Sequence, residues 1–223
     1  GAASRPATII EAMPTYHVID SLLAEVDNGL RTLAAPAQTA RPSPAAGLPR
    51  PSLSADEQAA GASLMRVNHA GEVAAQGLYR GQAFTTRNPA IRQNLLDAAR
   101  EEQDHLAWCA QRIDEFGSRT SLLGPLWYAG SFALGAAAGL LGTATGLGFV
   151  VETERQVEEH LTGHLDRLPP ADLPSREIVR QMRTDEVAHG ALARELGAAE
   201  LPEPLRAGMR MVARVMTTVA HRL

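Results

Sequence analysis

The sequence Glu186-Val187-Ala188-His189 carries the pattern that decides the fold of this chain, and the pattern recurs as Glu102-Gln103-Asp104-His105. A lone glutamate precedes each copy, Glu72 by 30 residues and Glu154 by 32 residues. Residues i and i+3 of a helix share one face, so each copy can direct a carboxylate and an imidazole to one point. Two such pairs and two single glutamates match the ligands of a di-iron or di-manganese site inside a four-helix bundle.

Local signals place these residues on two helical hairpins. Ser54-Ala55-Asp56-Glu57 fits a capping box at a helix start, and Asn88-Pro89 fits an N-cap followed by proline at the first helical position. Gly117 and Gly197 are expected to end the second and fourth helices of the bundle, and Pro174 lies at the start of the fourth.

The turn of each hairpin falls midway between its two glutamates. Residue 87 is the midpoint of Glu72 and Glu102, and it belongs to the predicted turn Arg87-Asn88-Pro89. The second pair has its midpoint at residue 170, within Pro169-Pro170. Because a helix rises by a constant amount per residue, both hairpins bring their glutamates to one level.

The rest of the chain is expected to surround this bundle. A tail, residues 1–16, precedes an amphipathic helix from His17 to Ala35 that needs a packing partner, and a proline-rich connector, residues 36–52, follows it. We therefore divide the chain into an N-terminal segment, residues 1–53, and a metal-binding helical domain, residues 54–223.

Residues Thr120 to Val151 form a run of 32 residues without a formal charge. A bilayer span needs about 20 apolar residues, so the run is long enough to cross a membrane. A single crossing would separate the two hairpins, and one shared metal site forbids that. We expect a long apolar crossover helix that docks along the bundle, enters one leaflet, or does both.

The charge pattern gives no reason to expect a nucleic acid partner, because the formal net charge is -4 and the pI is near 6.0. A last helix, from about Leu205 to His221, carries Arg206, Arg210 and Arg214 as a stripe. Such a helix either lies on an anionic membrane surface or caps the bundle with a solvated arginine edge.

A solvated helix face, with arginines pairing to the acids, is the alternative to a metal site. Two copies of the motif, two partner glutamates and matched turns favour the metal, since buried carboxylates without a cation are costly. Oxygen-rich ligation with one imidazole per metal suits iron or manganese better than zinc. Glu102 and Glu186 are the expected bridging ligands. The predicted ligands are Glu72, Glu102, His105, Glu154, Glu186 and His189.

Further residues are expected beside the ligands, where they would orient them without binding the metal. These residues are His69, Glu101, His160 and Asp185. Tyr79 follows Glu72 by seven residues on the same helix face, so it lines a substrate channel or belongs to the core. His164 is expected at the surface.

Several ordered motifs resemble the demethoxyubiquinone hydroxylase family of ubiquinone biosynthesis, and its bacterial members most. The resemblance covers about residues 54–223. It implies a ferritin-like bundle, and near the third ligand helix it favours Glu154 over Glu152 by spacing. The motifs are Arg66-Val67-Asn68-His69-Ala70-Gly71-Glu72, Glu101-Glu102-Gln103-Asp104-His105-Leu106, Pro125-Leu126-Trp127, Phe132-Ala133-Leu134-Gly135-Ala136 and Asp185-Glu186-Val187-Ala188-His189.

The resemblance implies an enzyme with two iron ions that uses dioxygen to hydroxylate the ring of a polyprenylated demethoxy-quinol. It also implies a peripheral location on the cytoplasmic face of the bacterial inner membrane, and other proteins of ubiquinone biosynthesis as partners. Three alternatives use the same residues differently: a ferritin-like iron storage protein or oxidase, a soluble di-iron hydroxylase of modified transfer RNA, and a membrane scaffold without metal.

Overall fold

The computed structural model describes residues 15–35, 39–50 and 52–223. The predicted all-α fold is confirmed, since this part of the chain contains helices and no strand. Residues 1–14 of the predicted tail, and residues 36–38 and 51 of the connector, lie outside the described residues. The helices are α1 (Thr15–Ala34), α2 (Ala55–Thr85), α3 (Pro89–Glu115), α4 (Gly124–Leu140), α5 (Thr143–Arg167), α6 (Leu173–Glu195) and α7 (Glu203–Ala220).

Helices α2, α3, α5 and α6 form the predicted bundle as two hairpins, and their ends follow the predicted signals. Ser54 and Glu57 form the capping box of α2, and the Asn88 side chain accepts hydrogen bonds at the start of α3. Gly117 and Gly197 follow α3 and α6 with φ of 64° and 96°, a conformation that glycine adopts most easily.

Two buried apolar clusters fill the bundle core. One contains Met65, Trp108 and Met182, and the other contains Tyr79 and Leu95. On each of the four helices, the predicted ligands lie between residues of the first cluster and residues of the second. The acidic motif residues are therefore held at mid-height in the bundle, enclosed by apolar side chains above and below.

The uncharged run forms α4 and the first turns of α5. The chain breaks between them at Gly142, whose φ of 101° is strained for other residues. Helix α4 is the crossover helix, and it packs closely on α2: a Cβ atom at Gly81 would clash with the Phe132 carbonyl, and one at Gly135 with the Leu78 carbonyl. Among the described residues, no helix combines the length and the hydropathy that a membrane span requires.

Helix α1 is confirmed at its predicted position and packs on α2 and α4, with Gly29 against the ring of Tyr128. No described residue of this chain covers its apolar stripe, so the predicted need for a packing partner remains a prediction. The stripe faces outward because small and polar residues of α1 make the contacts with the bundle. Its exposed members are Ile19, Leu22, Leu23, Val26 and Leu30.

Helix α7 takes the second of its two predicted positions and caps the bundle, where it contacts α2 and α5. Two arginines of its stripe contact acids: Arg206 lies 2.9 Å from Glu203, and Arg210 lies 3.9 Å from Glu152 of α5. The third, Arg214, is exposed. The exposed surface of α7 also carries four apolar side chains, Leu205, Met211, Val212 and Val215.

Candidate metal centre

The bundle core brings the six predicted ligands together as two overlapping groups. Within each group, one ligand atom from every residue lies within 4.8 Å of the others. One group contains Glu72, Glu102, His105 and Glu186, and the other contains Glu154, Glu186 and His189. Glu186 belongs to both groups.

Glu102 also links the two groups. Its Oε2 atom lies 2.7 Å from His105 Nδ1, and its Oε1 atom lies 3.3 Å from His189 Nδ1. The two oxygens of one carboxylate therefore face different histidines. This arrangement suits a bridging ligand, as the sequence predicts for both motif glutamates.

Each histidine directs Nδ1 towards the carboxylates and Nε2 away from them. His105 Nε2 lies 2.9 Å from Asp185 Oδ2, and His189 Nε2 lies 3.0 Å from Glu101 Oε2. A carboxylate that accepts a hydrogen bond from the Nε2–H group leaves the Nδ1 lone pair free for a metal ion.

The contacts of Glu101 and Asp185 cross between the hairpins. Glu101 lies on α3 and contacts the histidine of α6, whereas Asp185 lies on α6 and contacts the histidine of α3. Each residue directly precedes a motif glutamate, and for that reason the sequence predicted both to lie beside the histidines. That spacing does not indicate that each carboxylate contacts the histidine of the other hairpin.

A second set of contacts, which the sequence did not predict, comes from the connector that precedes α2. Arg41 Nε lies 2.8 Å from Asp104 Oδ2, and Arg41 Nη1 lies 2.9 Å from Asp185 Oδ2. The guanidinium also stands 5.1 Å from the centre of the Trp108 ring. Arg41 therefore fixes the carboxylate that orients His105. The one available signal was Asp104, a second carboxylate inside the first motif.

Burial and mutual repulsion dominate the electrostatics of the cluster. Burial raises the pKa of Glu72 and of Glu154. The neighbouring carboxylates of Glu102 and Glu186 raise the pKa of Glu72 further, and that of Glu186 does the same for Glu154. Although burial lowers the pKa of His189, the carboxylates of Glu102 and Glu186 beside it raise the pKa to about 12. Without a metal ion, protons supply the positive charge that these carboxylates need.

Two atoms that face the cluster lack a hydrogen-bond partner in the part of the chain that the structure describes. Glu102 Oε1 and His189 Nδ1 are both buried, and neither has one. Such atoms are uncommon in protein cores because leaving them unpaired costs free energy. A cation bound between them would satisfy both, so the residues present fit a metal ion.

Tyr79 lies beside this cluster within the second apolar core cluster. Its ring meets the His189 ring edge-on at a centroid distance of 6.4 Å, and its hydroxyl is buried without a hydrogen-bond partner among the described residues.

Glu152 lies apart from the cluster and accepts hydrogen bonds from Arg155 and Gln156. The geometry therefore agrees with the choice of Glu154 over Glu152.

The structure brings neither His69 nor His160 into the two groups. His69 is buried in α2 with an unpaired Nδ1 atom, and His160 packs its ring 3.9 Å from the ring centre of His164. The expected surface position of His164 is wrong, because only 3% of the residue is exposed. It lines a cavity together with residues of α7, whose docking the local sequence of α5 does not reveal.

Comparisons with known proteins agree with this geometry. Residues 59–220 match the family model described as ubiquinone biosynthesis protein COQ7. The chain belongs to the COQ7 family. This confirms the family resemblance of the sequence motifs. The matched residues include all six predicted ligands, whereas Arg41 precedes them.

Curated bacterial relatives of this COQ7-family chain are named 3-demethoxyubiquinol 3-hydroxylase. The Ralstonia pickettii protein is 53% identical over 217 residues, covering 92% of this chain and 100% of its own. The Chromobacterium violaceum protein is 55% identical over 206 residues, with the same coverage. The Bordetella petrii protein is 56% identical over 204 residues, covering 91% of each chain.

Proposed function

We propose that this chain is a 3-demethoxyubiquinol 3-hydroxylase, an enzyme of ubiquinone biosynthesis that adds a hydroxyl group to the ring of a polyprenylated quinol. Its family, and the shared name of relatives that are more than half identical to it, support this assignment. The observation that carries the chemistry is the pair of overlapping carboxylate and histidine groups in the bundle core.

The proposed cofactor is a pair of iron ions held between the hairpins. Four buried carboxylates and one imidazole for each metal favour iron over zinc. Glu102 and Glu186 would bridge the two ions, each histidine would bind one of them through Nδ1, and Glu72 and Glu154 would be terminal ligands. When bound, the pair supplies the activation of dioxygen, the proposed co-substrate.

The protein residues hold this site in place and exclude water from it. Asp185 and Glu101 would accept a hydrogen bond from the Nε2–H group of each histidine, so that Nδ1 stays directed towards the metal site. Met65, Met182 and Leu95 belong to the apolar clusters on either side and make the surroundings dry. A dry pocket protects reactive oxygen chemistry from side reactions.

The proposed substrate has a long apolar tail, so the enzyme must meet it at a membrane. The exposed apolar side chains of α1, with Leu126, Leu134 and Leu140 of α4, support a peripheral contact with the membrane surface. We assign this contact to the cytoplasmic face of the bacterial inner membrane. Tyr79, beside His189, is the proposed lining of the channel through which the quinol ring approaches.

The test is to incubate the iron-loaded protein with a demethoxy-quinol, a reductant and isotopically labelled dioxygen. Mass spectrometry should find one labelled oxygen atom in the quinol ring. Glu154→Gln should abolish labelling, whereas the control Glu152→Gln, two residues away and outside the cluster, should retain it. An unlabelled ring, from wild-type protein whose iron content is confirmed, would overturn the proposal.

A further inference from the structure

A second polar site lies at one end of the bundle, apart from the proposed iron ligands. A cavity of about 330 Å³ opens there between α2, α5 and α7. None of the six predicted metal ligands lines it. Its polar lining consists of three histidines, two arginines and two threonines, and it contains no carboxylate side chain.

The lining carries positive charge that no acid in the described residues balances. Arg167 and Arg222 both border the cavity, and neither forms an ion pair with a carboxylate in the described part of the chain. Burial and the charge of Arg167 lower the pKa of His160 to about 4. The two arginines are therefore the fixed charges of this cavity at neutral pH.

His164 supplies a buried polar group without a partner. Only 3% of the residue is exposed, it lines the cavity, and its Nδ1 atom has no hydrogen-bond partner among the described residues. A buried unpaired imidazole costs free energy unless a ligand or a water molecule satisfies it. The unmet hydrogen bond of His164 and the arginine charges thus coincide in one cavity.

The chemistry of the lining favours an anion over a metal ion. In the described chain, the cavity histidines do not form a group with the spacing of metal ligands, in contrast to the core cluster. Arginine guanidinium groups, imidazole N–H groups and threonine hydroxyls are all donors that phosphate oxygens accept. Arginine is especially suited to phosphate because its planar fork can donate two parallel hydrogen bonds.

We propose that this cavity binds a phosphate group, carried either by a small phosphorylated solute or by the headgroup of a phospholipid. Arg167 and Arg222 would contact the phosphate oxygens, and His164 would gain its missing hydrogen bond. The site is independent of the proposed hydroxylase activity, because it uses none of the iron ligands and lies at another level of the bundle.

Two measurements on the full-length protein test this site and identify the source of the phosphate. Titration calorimetry measures the binding of inorganic phosphate, with chloride at equal ionic strength as the reference. Flotation measures the binding of phosphatidylcholine vesicles with and without phosphatidic acid. Each is repeated with Arg167→Gln, Arg222→Gln and the control Arg214→Gln, an exposed arginine of α7 outside the cavity.

Binding of either probe that weakens about tenfold in Arg167→Gln and in Arg222→Gln, but not in Arg214→Gln, supports the site. Phosphate binding assigns it to a soluble ligand, and binding of phosphatidic acid vesicles alone assigns it to a lipid headgroup. Arg222→Gln keeps the test valid if Arg167→Gln unfolds. The proposal is overturned if neither probe binds, or if all three variants lose binding equally.

Discussion

The two hairpins carry the same motif, but they hold their histidines in different surroundings. His105 of α3 has no exposed surface and contacts Asp185, which Arg41 links to the buried Asp104. The side chain of His189, on α6, is 9% exposed, and it contacts Glu101, whose side chain is 51% exposed. The first histidine is fixed by charges inside the protein, whereas the second borders solvent.

The difference indicates that the two sides of the proposed metal pair have separate roles. A histidine in a closed network of charge-assisted hydrogen bonds has little freedom to move. A histidine supported by one exposed carboxylate can move more easily, and the ring of the buried Tyr79 meets it edge-on. We therefore expect the His105 side to anchor the metal pair and the His189 side to face substrate and dioxygen.

The largest expected difference is in the stability of the metal-free protein. His105→Ala removes the buried histidine partner of Glu102 and one of the partners of Asp185, which should lower the free energy of unfolding by about 3 kcal/mol. His189→Ala should cost about 1 kcal/mol, because solvent can reach its partner Glu101. Urea unfolding of both variants measures this. Equal losses of unfolding free energy in the two variants would contradict the proposed difference between His105 and His189.

The pH dependence of iron binding should be steep. The pKa values of Glu72, Glu154, His105 and His189 are all raised in the metal-free cluster, so protons occupy the site that iron needs. Binding must release them, and iron affinity should fall by about tenfold per pH unit for each proton released as the pH is lowered. Calorimetry in two buffers of different ionisation enthalpy counts the protons. Iron binding that releases none would contradict this electrostatic account.

The residues that orient the histidines should have unequal effects on metal affinity. Asp185→Asn removes the charge that holds His105, and should weaken iron binding by about 10-fold to 100-fold. Glu101→Gln should weaken it by about threefold or less, because solvent already screens this exposed carboxylate. Competition with a fluorescent chelator measures both affinities. A larger effect for Glu101→Gln would reverse the assignment of the anchoring side.

The smallest expected effect comes from the connector. Arg41→Gln should weaken iron binding by about threefold to tenfold, since it removes a charge-assisted contact to Asp185 rather than a ligand contact. Arg41→Lys should recover part of the loss. Arg31→Gln, which breaks an exposed pair with Asp27 in α1, is the matched control and should have no effect. An unchanged iron affinity in Arg41→Gln would contradict a role of the connector in holding the metal site.

The bundle and its six clustered residues could be predicted because they depend on local signals. Ser54, Asn88 and Gly117 set helix ends through neighbouring backbone groups, and the motif glutamates meet because helical rise is constant. No periodicity connects positions that are far apart in sequence. The Arg41 to Asp104 contact spans 63 residues, and the burial of His164 depends on the docking of α7.

The sequence also did not predict the helix boundaries inside the uncharged run. Apolar composition continues through Gly142, and its positive φ alone separates α4 from α5. The amphipathic pattern of α1 predicted a helix correctly, but periodicity cannot identify what covers an apolar face. Its exposed leucines follow from packing against α2 and α4 through other residues.

Mössbauer spectroscopy of the anaerobically reconstituted protein tests most directly whether the two ligand groups hold one pair of iron ions. It measures the iron content and the magnetic coupling. A shared site predicts two iron ions per chain that become magnetically coupled on oxidation. It also predicts the loss of both ions in Glu186→Ala, because Glu186 belongs to both ligand groups. Glu152→Ala should keep both ions. Full iron content in Glu186→Ala, or iron that shows no coupling in the wild-type protein, would contradict the shared site.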